Sequence, residues 1–158
     1  MKTVLLGVIL FVSNALYSAQ THRMELLIAD MLEMKDVQQC AVSSEYLGLM
    51  MANASVKISE NDVIAWNPTE SRLTLNPLKF SKNEVIKRLQ GHCFYLRIDG
   101  KLITSGPILS QYSARLSKLP TMKVYSSAKG LDLQLVSGNS TNAKPIQNKS
   151  LDSVLRQR

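Results

Sequence analysis

Residues 92–110, HCFYLRIDGKLITSGPILS, constrain the fold more than any other stretch of this chain. Apolar and polar residues alternate on both sides of Asp99-Gly100. That dipeptide marks a two-residue hairpin turn, whose central residues both take positive φ. In the first strand Cys93, Tyr95 and Arg97 share one face, while Phe94, Leu96 and Ile98 share the other and turn to the core. Gly106-Pro107 is expected to break or bend the second strand, because proline has no N–H to give to a ladder.

Other segments are read around that hairpin. Residues 62–66 and 71–75 predict two strands joined by an Asn-Pro-Thr-Glu turn, and 122–125 with 131–135 predict a last hairpin. Residues 108–117 read as an irregular strand with a short turn. Met24, Leu27, Ile28 and Met31 recur at helical spacing and predict a helix over 21–35. A second helix is expected over 43–55, and a third after the capping box Ser81-Lys82-Asn83-Glu84, stopping at Gly91. The fold class that follows is α+β. N-terminal helical segments and one capped helix pack on a mainly antiparallel sheet of five or six strands built from hairpins.

The two ends of the chain differ from its middle. Residues 1–19 begin with Lys2, run apolar from Val4 to Val12 and end in small residues, the layout of a secretory signal peptide cut after Ala15 or Ala19. The apolar run is shorter than the roughly 20 residues that span a bilayer. Residues 20–137 form the single domain. Residues 138–158, rich in Ser, Asn, Lys and Gln, read as a flexible polar and basic tail, with a short helix at its end on contact with another surface. The expected location is the periplasm or the extracellular space.

Export makes the two cysteines a disulfide candidate, Cys40–Cys93. Such a bond closes about 54 residues, for which the chain-entropy model gives roughly 4 kcal/mol. The formal charge of +7 becomes +6 without Lys2, with 18 Lys and Arg against 12 Asp and Glu. Five basic residues, Arg97, Lys101, Arg115, Lys118 and Lys123, follow one another through the hairpin and the segment after it. They form a candidate patch for an anionic partner.

Chemistry-bearing patterns are sparse. His92 and Cys93 are adjacent in a strand and point to opposite faces, and His22 has no spaced partner, so no zinc site is expected. Met24, Met31 and Met34 read as core filler rather than copper ligands. A triad of Ser110, His92 and Asp99 can be drawn, but no Gly-x-Ser-x-Gly elbow supports it. Phe94 and Tyr95 face opposite ways, which leaves no aromatic platform for nucleic acid. Sequons at Asn53, Asn139 and Asn148 would matter only in a eukaryotic secretory pathway.

No motif carries a resemblance to a known family. The reading is an exported, monomeric, non-catalytic binding or interaction protein of the cell envelope, an inhibitor or accessory factor. No cofactor or metal is expected. Its partner is another protein or an anionic envelope component, with no nucleic acid and no membrane span once the leader is removed. The alternative is a small envelope hydrolase with an unrecognised site.

Overall fold

Three residues, Glu60–Asp62, set the shape of the sheet. The computed structural model of the chain describes residues 23–29, 40–41, 54–80, 86, 89–126, 128 and 130–156. Its strands are β1 (Met24–Ala29), β2 (Ala54–Ser59), β3 (Val63–Asn67), β4 (Arg72–Leu75), β5 (Cys93–Ile98), β6 (Lys101–Ser110), β7 (Thr121–Ser126) and β8 (Leu131–Val136). Helix α1 spans Lys149–Leu155. The strands form one sheet in the order β2-β1-β5-β6-β7-β8-β4-β3. The consecutive strands β2 and β3 therefore lie at opposite edges, joined only by the 3-10 turn Glu60–Asp62.

In a flat sheet the seven gaps between eight strands would put those edges about 34 Å apart. Three linking residues reach only about 14 Å. The sheet must curl until its edges approach at this corner, which gives a half-barrel. Asp62 holds the corner. It is buried and accepts from the Ser59 amide and hydroxyl, both at 2.8 Å, and from Lys79 Nζ at 2.6 Å.

Curling also sorts the side chains. The inward face carries one core: Leu26 and Ile28 from β1, Phe94 and Leu96 from β5, Leu133 and Leu135 from β8, among others. Leu151 and Leu155 of α1 join it, and Trp66 Nε1 of β3 donates to Asp152 Oδ1 at 3.1 Å. A second, smaller cluster lies on the outer face, where Leu27, Ala29 and Tyr95 pack with Cys40 and Cys93. Those two cysteines form a disulfide, with Cα atoms 5.3 Å apart.

These facts overturn the α+β expectation. Among the described residues the sheet has eight strands rather than five or six, and it is mixed, because β6 and β7 run parallel. The segment Met24–Ala29, expected inside an N-terminal helix, is a strand between β2 and β5. Its neighbours explain the misreading. Met24, Leu26 and Ile28 enter the inner core while Leu27 and Ala29 enter the outer cluster. A strand buried on both faces loses its alternation, and its apolar run then matches helical spacing equally well.

The leader, the Ser81 capping box and residues 43–53 of the second expected helix lie outside the described residues, while Ala54 and Ser55, expected to end that helix, open the strand β2 instead. Ile86 and Leu89 are helical, and Leu89 is buried. Residues 138–156, read from composition as a mobile tail, contain α1 and a buried Asn139.

The hairpins match their sequence signals. Asp99 and Gly100 take φ of 51° and 77° between β5 and β6. β3 pairs with β4, and β7 with β8. Gly106-Pro107, in contrast, does not end its strand. β6 continues to Ser110, and from Ile108 onward it gains β7 as a second neighbour. Glycine is required there because a Cβ on Gly106 would lie 1.6 Å from the Pro120 carbonyl oxygen.

Candidate anion-binding site

The parallel pairing of β6 with β7 creates the site. Ile108, Leu109 and Ser110 lie beside Met122, Lys123 and Val124, so the chain must leave β6 at Ser110 and re-enter some three residues behind. That step back is about 10 Å. The ten connecting residues, 111–120, could reach about three times as far. The surplus chain is displayed as a protruding crossover, in which Tyr112, Ala114, Arg115, Leu116 and Lys118 are exposed.

The crossover is displayed rigidly. Asn139, 8% exposed, donates through Nδ2 to the carbonyls of Ser113 (3.1 Å) and Arg115. Its own N–H donates to the Ser117 carbonyl at 2.9 Å. Gly138 lets the two chains come this close, since a Cβ there would lie 2.6 Å from the Ser117 oxygen. Leu119 packs on the outer cluster beside the disulfide. The loop is thus tied at its middle and at its far end.

Beside the crossover lies a cleft of about 370 Å³, lined among the described residues by Gln90, Gly91, Ile108, Leu109, Ser110, Ser113 and Arg115. Ser110 Oγ accepts the Tyr112 N–H at 3.0 Å, and Ser113 Oγ accepts the Arg115 N–H at 3.3 Å. Both oxygens are held by backbone donors, so each hydroxyl proton remains to be donated outward. Among the described residues, neither the Arg115 guanidinium nor the Gln90 side-chain amide has a hydrogen-bond or ion-pair partner. Among the described residues that line the cleft, the one charged group is the Arg115 guanidinium, and there is no carboxylate. The sequence between Asp99 and Asp132 holds five basic residues and no acidic one. A guanidinium with two hydroxyl donors suits a phosphate or carboxylate.

The five residues of the expected basic patch do not stay together. Arg115 and Lys118 are on the crossover, and Lys123, the register partner of cleft-lining Leu109, stands next to it. Lys101 is nine residues from Ser110 along β6, about 30 Å away. Arg97 is engaged elsewhere. It pairs with Glu25 at 3.3 Å and donates to the Gly100 carbonyl at 2.9 Å. Glu25 also pairs with Lys57. That hydrogen bond holds the Glu25 carboxyl below its usual range against the opposing effect of burial, with Arg97 and Arg23 adding to it.

The drawn triad is not assembled. His92 and Asp99 flank opposite ends of β5, roughly 20 Å apart, so only His92 lies near Ser110. No group of three or more metal-ligating side chains occurs among the described residues. No helix among them is long and apolar enough to cross a membrane.

Gln90, Ser110, Ser113 and the pinning Asn139 were not singled out from sequence as binding residues. Two signals point to the serines, and none to Gln90 or Asn139. One is the acid-free run from residue 100 to 131, and the other is a serine placed two residues before each of Tyr112 and Arg115, where its oxygen can accept their amides. No protein-family model matches the chain, and no curated protein or solved structure matches it significantly.

Proposed function

We propose that this chain is an exported, monomeric, non-catalytic binding protein of the cell envelope, which holds an anionic ligand or partner at the β6–β7 crossover. The observation that carries this reading is the cleft lined by Arg115, Ser110 and Ser113, with no carboxylate among the described residues that line it. The Ser110, His92 and Asp99 set is not gathered for hydrolysis, because Asp99 lies at the far end of β5 from His92 and Ser110. The disulfide is compatible with an oxidising compartment.

Retention on phosphocellulose tests the reading. Arg115→Ala and Lys101→Ala remove the same charge from sites about 30 Å apart. The native chain and Lys101→Ala should elute at nearly the same salt, and Arg115→Ala at clearly lower salt. Equal shifts for the two variants would mean that net charge alone is being read, and the site would be rejected.

A further inference from the structure

The crossover presents two large apolar side chains that the described residues leave uncovered, Tyr112 at 86% exposure and Leu116 at 76%. Single exposed apolar residues are ordinary on any protein. These two are four residues apart on one loop, with Arg115 between them and Lys118 just beyond. The loop is already ordered by Asn139, so binding through it incurs little further ordering cost. A soluble anion would use the cleft and leave Tyr112 and Leu116 without a role. A surface that is both negative and apolar uses all of them.

Resting on the binding reading above, we propose that the crossover docks on an anionic phospholipid surface. Tyr112 and Leu116 enter the interfacial layer, where tyrosine is favoured for its apolar ring and polar tip. Arg115 and Lys118 meet lipid phosphates, and the Ser110–Ser113 cleft receives one phosphate through its hydroxyl donors. The absence of acidic residues between Asp99 and Asp132 leaves that stretch free of carboxylates that would repel the phosphate plane. Leu78 supplies the contrast. It is more exposed still, at 94%, but its neighbour Lys79 is neutralised by Asp62.

Vesicle co-sedimentation of the full chain, purified without reductant, tests this. Vesicles of phosphatidylglycerol mixed into phosphatidylcholine should bind the protein, and phosphatidylcholine alone should not. Arg115→Ala and Lys118→Ala should each weaken vesicle binding about five-fold, the value of one basic residue near a charged leaflet. Tyr112→Ala and Leu116→Ala should weaken vesicle binding but leave phosphocellulose retention unchanged, and Leu78→Ala should change neither. If Arg115-dependent retention on phosphocellulose persists while no vesicle binds, the lipid assignment is overturned and the binding reading stands. If Arg115 matters in neither assay, both fall.

Discussion

Replacing Asn139 distinguishes a pinned crossover from a loop that merely rests on the surface. Its amide nitrogen donates to two backbone carbonyls, those of Ser113 and Arg115, from a side chain that is 8% exposed. Asn139→Ala removes both hydrogen bonds. At about 1 kcal/mol net for each, the expected loss is about 2 kcal/mol. Asn139→Asp keeps the shape but puts a carboxylate oxygen where the amide nitrogen was, facing two carbonyl oxygens. Two bonds are lost and a buried charge is left unpaired, so the cost should exceed that of alanine and reach about 4 kcal/mol at neutral pH.

The sign with pH is also determined. Burial beside carbonyls raises the pKa of the introduced carboxyl above its unfolded value of about 3.9. The extra penalty is therefore complete above the raised folded value and shrinks as pH falls towards the unfolded one, where a protonated Asp can again donate. Urea unfolding followed by Trp66 fluorescence, at neutral pH and near pH 4, measures both effects. An Asn139→Asp chain as stable as the native one, or a deficit relative to alanine that does not narrow in acid, would refute a crossover pinned by Asn139.

Three further outcomes follow from the fold. Cys40→Ser/Cys93→Ser should lose about 4 kcal/mol in urea unfolding, since the bond closes a loop with a sequence separation of 53. Thiol titration of the unreduced, denatured chain should find no reactive cysteine. At Asp62, burial alone would raise the carboxyl, but hydrogen bonds from Lys79 and Ser59 prevail and hold it below its usual range. A lowered folded pKa contributes stability that is complete above the unfolded value of about 3.9 and lost as pH falls through the folded one. Unfolding curves should show that acid loss in the native chain and a flatter profile in Asp62→Asn. Gly106→Ala puts a methyl group 1.6 Å from the Pro120 oxygen, which should cost more than about 3 kcal/mol and abolish a cooperative thermal transition.

The hairpins were legible because each rests on local chemistry. Asp99-Gly100 adopts positive φ wherever it folds, and alternation about it names the inward residues Phe94, Leu96 and Ile98 without knowledge of the rest. β1 was not legible, because what decides its state is distant. Only the pairing with β2 and β5 buries both faces of Met24–Ala29 and erases the period of two. Composition read the C-terminal segment as a mobile tail with a short helix at its end, and that helix docks on the fold's own core. Leu151 and Leu155, four apart, are enough to seat α1 on the core, with Asn148 accepting from the Leu151 N–H at 3.0 Å.

The site divides in the same way. Charge alone pointed to Arg115, Lys118 and Lys123, and a cross-strand pairing with Glu25 removed Arg97 from the group. The cleft itself depends on a parallel β6–β7 register and on Asn139 returning from beyond β8. Neither leaves a local mark in the sequence.

The crossover enters an anionic lipid surface through Tyr112 and Leu116, while the rest of the fold, Leu78 included, stays out. Tyr112→Trp and, separately, Leu78→Trp each add one fluorophore to the background of Trp66. Phosphatidylglycerol vesicles carrying brominated acyl chains quench tryptophan only on close approach. Tyr112→Trp should show a blue shift and quenching, abolished by Arg115→Ala/Lys118→Ala, with Leu78→Trp unchanged. Emission from Tyr112→Trp that does not respond to the vesicles, or equal quenching at both positions, would contradict it.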